Sequence, residues 1–265
     1  MKVKKEQIDS LFRDGFIHVK SFLDNDEIIL VERAIKSNLD SPSPFSTKIS
    51  KGSDSGEFFM DFNNWRRLPL IEEVCKLSKL INFATDITMS KKCWLFHDHI
   101  LVKSGNAQAT PIHHDRPYHI FKGNLNCSIW MTVDDVKRDS SLIFYKNTHK
   151  LDRLFLPKAF RDGKNFNSID KIYSDIDKLN LDNYIAIDFE MKSGDAIIFF
   201  NNCLHRSRAH SSGPERRALS VRYLMDGSSL TKKFVNATPP FDRMGVKIYE
   251  DGPVPESFFP LLRSL

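Results

Sequence analysis

Three side chains in this sequence have the types and spacing of a metal site. In the segment TPIHHDRPY, residues 110–118, His113 and Asp115 stand two apart. On an extended strand that spacing sends both side chains to one face, where they can reach one ion. A His-x-Asp pair by itself is equally at home in a surface turn. The third donor is His205, near the end of KSGDAIIFFNNCLHRS, where Gly194-Asp195 reads as a turn and residues 196–200 as a buried strand. Two imidazoles and one carboxylate form the donor set of non-haem iron(II) sites that activate oxygen and keep coordination positions open.

An arginine follows His205 at a distance that suits a second charge. The polar stretch SSGPE, 211–215, separates His205 from Arg216 and predicts a hairpin that sets the two on neighbouring antiparallel strands. A planar guanidinium can meet the distal carboxylate of a dicarboxylate with two parallel hydrogen bonds while its oxoacid end chelates a metal. Arg216 shares strand parity with Ala218, Ser220 and Arg222; Arg217 shares it with Leu219, Val221 and Tyr223. Parity does not say which face is inside, so both arginines remain candidates on this ground.

These residues need a β scaffold, and the second half of the chain supplies its signals. CWLFHDHILV from Cys93, CSIWMTV at 127–133, SLIFY at 141–145, AIIFF at 196–200 and ALSVRYL at 218–224 are short apolar runs parted by Gly, Asn, Asp and Pro, the pattern of a sandwich or jelly roll. Upstream, helical spacing over 5–13 and 25–38 brackets a short strand at 16–19, and helical periodicity resumes over 68–88. The Ser-, Gly- and Lys-rich stretch 40–57 reads as a mobile loop, and the polar segment 158–184 as a lid.

Composition sets the outer limits. A chain of 265 residues with 41% hydrophobic content and no Pro/Gly/Ser linker reads as one domain over 1–265, with a helical portion at about 1–90, a jelly-roll core at about 91–226 and an extension at about 227–265. Its 39 Lys and Arg are dispersed among 34 acids, net +5, which disfavours nucleic acid as a partner. Cys75, Cys93, Cys127 and Cys203 contain no C-x-x-C pair and read as buried apolar side chains. With neither a signal-like nor a membrane-length apolar run, the expectation is a cytoplasmic protein with a small-molecule substrate and no membrane partner. Oligomeric state has no signature here. No G-x-S-x-G, P-loop or G-x-G-x-x-G motif is present, which removes serine hydrolysis, nucleotide cradling and dinucleotide redox chemistry.

The ordered series FRDGFIHVKSFLDNDEI, WLFHDHILVKSG, TPIHHDRPY, CSIWMTV, GDAIIFF, HRS and RRALSVRY, spread over nearly the whole chain, resembles the phytanoyl-CoA dioxygenase family. The resemblance implies a mainly β protein with flanking α, a double-stranded β-helix of the jelly-roll, cupin-like type with N-terminal helices. It implies Fe(II), 2-oxoglutarate and O2, with His113, Asp115 and His205 as metal ligands, Arg216 rather than Arg217 as the oxoacid clamp, and Ser207 beside it. The reaction it implies is hydroxylation with release of succinate and CO2. Arg206 and His210 depart from the family's usual residues at their positions without removing a ligand.

Other polar residues are read around that core. His97 and His99 form a same-face pair, which reads either as a cupin-like metal pair lacking its Glu or as substrate contacts. Lys103 on the same strand is a candidate anion holder beside the cofactor. His114, which falls between the ligands, and Tyr118 are candidate substrate contacts, as are His119 and Trp130, although aromatic residues in strands are more often core. The cluster of His97, His99, His114, Arg206 and Arg208 leans toward a small polar or anionic substrate. Two alternatives accompany this reading: a jelly-roll metabolite-binding protein without turnover, and desaturation or cyclisation by the same oxidant. Halogenation, which needs the carboxylate position free for chloride, is opposed by Asp115.

Overall fold

Helix α1 (Lys5–Asp14) stops where Gly15 takes a φ of 93°, a left-handed conformation that glycine adopts without a Cβ clash. The chain then runs into strand β1 (Phe16–Val19) and helix α2 (Asn25–Asp40). Asp24 caps α2 by accepting the Glu27 N–H at 3.0 Å, and Glu27 returns a bond from the Asp24 N–H at 2.9 Å. The computed structural model describes residues 2–50, 56–166, 171–210 and 214–264.

After α2 come strands β2 (Thr47–Ile49) and β3 (Phe58–Phe62), then helices α3 (Pro69–Cys75) and α4 (Ser78–Thr88). The stretch read as a mobile loop thus contains a strand, and the helix read over 68–88 is two helices with a turn at Lys76 and Leu77. The long strand β4 (Lys92–Lys103) leads to β5 (Phe121–Lys122), β6 (Cys127–Thr132), β7 (Leu142–Tyr145), β8 (Leu154–Phe155) and β9 (Tyr173–Ser174). Strands β10 (Ala186–Asp188), β11 (Ala196–Phe200), β12 (His205–Ser207), β13 (Arg216–Met225), β14 (Ser229–Leu230) and β15 (Leu261–Ser264) complete the order.

The larger sheet runs β1-β11-β6-β13-β4-β3-β2, with β15 added to β4; the smaller runs β10-β7-β12. All pairings within these two sheets are antiparallel. Phe16, Trp130, Phe199 and Ala218 of the larger sheet pack against Leu142 and Phe144 of the smaller, so the two form the facing walls of a jelly roll. The larger sheet's other face carries Ile198, Leu219, Val221 and Tyr223 into one core with α1 to α4, built on Leu11, Val31, Ile71 and Phe83. The first ninety residues therefore contribute strands as well as the helices that cover the sheet. All four cysteines are free and buried. Among the described residues no helix is long and apolar enough to cross a membrane.

One irregularity in β4 decides what faces the interior. On β13, Tyr223 pairs with Leu95 but Arg222 pairs with His97, leaving Phe96 as the extra residue of a bulge. A single extra residue inverts side-chain parity beyond it. Leu95 therefore points to the helices, whereas His97, His99 and Leu101 point to the space between the sheets.

Candidate active site

His113 and His205 are brought together by backbone. The His113 N–H donates to the His205 carbonyl at 2.9 Å and the His205 N–H to the His113 carbonyl at 2.8 Å, an isolated antiparallel bridge. Asp115 does not continue an extended strand, as the two-residue spacing suggested. Its backbone is helical, φ −73° and ψ −28°, immediately before a 3-10 turn at Arg116–Tyr118, and its N–H donates to the Asn201 carbonyl at 2.9 Å. That bend still turns the carboxylate toward the two rings.

The hydrogen bonds of the rings prepare their other nitrogens. His113 Nδ1 donates to the Pro111 carbonyl at 2.8 Å and His205 Nδ1 to the Cys203 carbonyl at 3.0 Å, which leaves both Nε2 lone pairs free. Asp115 Oδ1 stands 3.8 Å from His113 Nε2 and 3.9 Å from His205 Nε2, and the donor atoms of the three residues lie within 4.8 Å of one another. This is a suitable set for a divalent ion taking nitrogen and oxygen ligands. Burial and the neighbouring His205 push the His113 imidazole down to about 3, and burial lowers His205 as well, so both are neutral at physiological pH. Burial opposes the Asp115 charge, but Arg222 and the surrounding histidines outweigh it and hold the carboxyl well below its usual range.

Arg222 was not among the residues singled out from the sequence. Its Nη2 donates to Asp115 Oδ2 at 3.1 Å and its Nε to the same oxygen at 3.3 Å, which occupies the oxygen facing away from the histidines. The signal was present in its shared parity with Arg216 on one strand, but nothing local distinguished it from a surface arginine.

Among the described residues, β12 and β13 do not pair as the hairpin expected between His205 and Arg216. Strand β12 pairs with β7 in the smaller sheet and β13 with β4 and β6 in the larger, so the two residues face each other from opposite walls. A polar stretch fits a crossover between sheets as well as a tight turn, and local sequence does not separate them. Residues 211–213 of that stretch lie outside the described residues. Arg216 is buried in the interior, where its Nη1 donates to the Ser140 carbonyl and its guanidinium lies 5.8 Å from the Trp130 ring. Burial pushes it down to about 10, still cationic at neutral pH. Arg217 points to the helical side, where Asp134 and Glu32 take its guanidinium at 2.7 and 2.8 Å.

A cavity of about 300 Å³ contains the triad, Arg216, Ser207 and Trp130. His97, His99, Tyr118 and His119 also line it, as do Ala159, Phe160 and Phe166 from the segment read as a lid. Residues 167–170 of that segment lie outside the described residues. Four candidates do not line the cavity: Lys103, His114, and Arg206 and Arg208, both of which are exposed. Lys103 sits behind Ser207, and its Nζ donates to Ser207 Oγ at 2.7 Å and to the carbonyls of Gln108 and Arg208 at 2.6 and 2.9 Å. It holds Ser207 in place instead of meeting a ligand itself. His114 is turned away from the triad, and its Nε2 accepts the Phe155 N–H at 3.1 Å. Arg208 is engaged by Asp188 on the outside, at 2.7 Å.

Comparison with known proteins is consistent with this architecture. The family model described as phytanoyl-CoA dioxygenase matches residues 11–218. A probable phytanoyl-CoA dioxygenase of Caenorhabditis elegans is 25% identical over 166 residues, 60% of this chain and 52% of that protein, so the match spans about half the relative's length. Among solved structures, the epimerase SnoN in complex with Fe3+, alpha ketoglutarate and nogalamycin RO is similar over 98% of both chains, with a TM-score of 0.78 and 17% identity. EctD from S. alaskensis, with 2-oxoglutarate and 5-hydroxyectoine, covers 95% of this chain and 86% of its own at a TM-score of 0.69 and 16% identity. The carbocyclase SnoK from nogalamycin biosynthesis covers 98% and 96% at 0.76 and 15% identity.

Proposed function

Since the chain belongs to the phytanoyl-CoA dioxygenase family, we propose that it is an iron(II)- and 2-oxoglutarate-dependent oxygenase that hydroxylates a small polar or anionic organic molecule. The observation that carries the reading is the convergence of His113, Asp115 and His205 in a cavity that also holds Arg216. Iron(II) with 2-oxoglutarate, when bound, supplies the oxidative decarboxylation by O2 that yields succinate and CO2 and the power to break a substrate C–H bond.

The chain's own residues place those components. His113 and His205 would give their Nε2 lone pairs, and Asp115 would give Oδ1, since Arg222 occupies Oδ2. A carboxylate that gives only one oxygen would leave positions for the oxoacid and O2. Arg216 would take the distal carboxylate of 2-oxoglutarate, with the Ser207 hydroxyl beside it, oriented by Lys103. Phe160 packs edge-on against His113 with ring centres 4.8 Å apart, and Phe199 lies 4.9 Å from His205. These rings pack against the two imidazoles and hold their planes.

The test is spectroscopic. Metal-free protein given Fe(II) and 2-oxoglutarate without oxygen should develop the weak visible charge-transfer band of the chelated pair, and His113→Ala and Arg216→Ala should each diminish it. Iron-loaded wild type without any band would refute the oxygenase reading and favour a metabolite-binding role. Epimerase and carbocyclase chemistry, carried out by structurally similar proteins, would appear as substrate conversion with succinate release but without a gained oxygen atom.

A further inference from the structure

One wall of the cavity is polar without being paired. His97 Nε2, both ring nitrogens of His99, Ser220 Oγ and Arg222 Nη1 are buried and find no hydrogen-bond partner among the described residues. The four residues are 1%, 5%, 1% and 7% exposed, and all line the cavity. Buried polar groups are paired almost everywhere in folded proteins, so such a cluster facing an open cavity marks where a ligand's polar groups belong.

The register explains why the four stand together. Ser220 pairs with His99 and Arg222 with His97 on the adjacent strands β13 and β4, and ordinary alternation along this regular stretch, next to the bulge at Phe96, puts all four on the inner face. Arg216 pairs with Lys103 at the far end of the same ladder. Six residues of strand, about 20 Å of backbone, separate the two arginines. The oxoacid clamp and this cluster are therefore distinct stations, and Arg222 belongs to the one that touches the metal carboxylate.

The polarity of the cluster is mixed. His97 Nδ1 lies 2.9 Å from the Asp98 carbonyl and must donate to it, which makes Nε2 of the neutral ring an acceptor that requires an O–H or N–H. Arg222 Nη1 is a cationic donor. Asp115 balances the Arg222 charge in the metal-free protein, but a divalent ion would draw on the same carboxylate and leave the guanidinium short of negative charge. Elsewhere the cavity wall is of mixed character: Met60, Phe62, Phe160 and Phe166 give it an apolar, largely aromatic part, and Lys158, Arg161 and Arg216 also line it.

We propose that His97, His99, Ser220 and Arg222 form the substrate-selecting subsite, and that it takes a monoanion whose carboxylate adjoins a hydroxyl or amine on an apolar body. This deepens the oxygenase reading and rests on it for the role of the ligand as substrate. Arg222 would meet the carboxylate, the His97 acceptor the adjoining hydroxyl or amine, and His99 and Ser220 the remaining lone pairs and protons. Phe62, which packs on His99 with ring centres 4.2 Å apart, would carry the apolar body.

The experiment uses matched probes: 3-phenyllactate, its deoxy analogue 3-phenylpropanoate and its uncharged amide 3-phenyllactamide, with the cyclohexyl counterparts of each. Affinities are measured by calorimetry without oxygen, on protein loaded with Fe(II) and saturated with 2-oxoglutarate. The hydroxy acid should bind about tenfold more tightly than either relative. His97→Leu should abolish the preference for the hydroxyl, and Arg222→Met the preference for charge. Equal binding of the three probes, no saturable binding by any of them, or an undiminished hydroxyl preference in His97→Leu would overturn the assignment. His97 touches no metal ligand, so its variant answers even if Arg222→Met loses iron. The same titrations on metal-free protein separate the two readings: a hydroxy-acid preference there, alongside a missing charge-transfer band, would retain the subsite and discard the oxygenase.

Discussion

At the scale of single residues, the site is set by what burial does to its ionisable groups. His113 is held near 3 by burial and His205, whereas an unfolded chain would titrate it near the ordinary imidazole value of 6.5. The folded value is the lower, so as pH falls the unfolded state takes up the proton first, and this part of the stability is lost between about 6.5 and 3. Above that window the ligand is already neutral. Cobalt(II) binding at pH 8 should then release no histidine protons, because both imidazoles are held below the ordinary value. Calorimetry in buffers of different ionisation enthalpy measures this directly; release of a proton per histidine would show the rings to be charged before binding. Arg222 acts through Asp115, so Arg222→Met should weaken cobalt affinity by about 10- to 100-fold, the range typical for groups that orient a ligand. Arg222→Lys should restore part of the loss, and equal affinity in all three proteins would remove Arg222 from that role.

At the scale of elements, β4 and β13 are the two rails on which the site is mounted. Lys103 anchors the end near Arg216, where burial and the Arg216 charge push its ammonium down to about 6. The free value is 10.5, above the folded one, so stability should climb as pH rises from about 6 through 10.5. Lys103→Met should flatten that climb, read as the denaturant midpoint at pH 6.5 against pH 9.5. The same variant frees the Ser207 hydroxyl, and 2-oxoglutarate affinity should fall by about tenfold as the hydrogen bond that orients Ser207 is lost. An unchanged oxoacid affinity would mean that Ser207 needs no such support.

At the scale of the whole molecule, the outer strand and aromatic cluster of the C-terminal segment brace β4 from beside the site. Strand β15 pairs with β4, and Phe259 is fully buried among Trp94, Phe96, Phe121 and Phe241. Removing that ring should cost about 3–5 kcal/mol, the usual price of an aromatic cavity, so Phe259→Ala should lower the unfolding midpoint sharply. The bulge at Phe96 adjoins the same cluster, which ties the stability of the extension to the placement of His97. A midpoint within error of wild type would show that this packing contributes little.

The strands at 196–200 and 218–224, the helices near 5–13 and 25–38, and the residue types of the triad were legible in the sequence. Each depends on local periodicity, capping or donor chemistry, which a chain carries in its order of residues. The choice of Arg216 over Arg217 rested on family resemblance, because alternation defines two faces without saying which is inside. Tertiary structure decided the rest. It put His205 and Arg216 on opposite sheets, bent Asp115 out of the expected strand, turned His114 away from the triad and sent Lys103 behind Ser207. It also brought Arg222 to Asp115 across 107 residues of sequence. These placements follow from which strands pair, and pairing partners are selected by the burial of whole faces, a property no short segment contains.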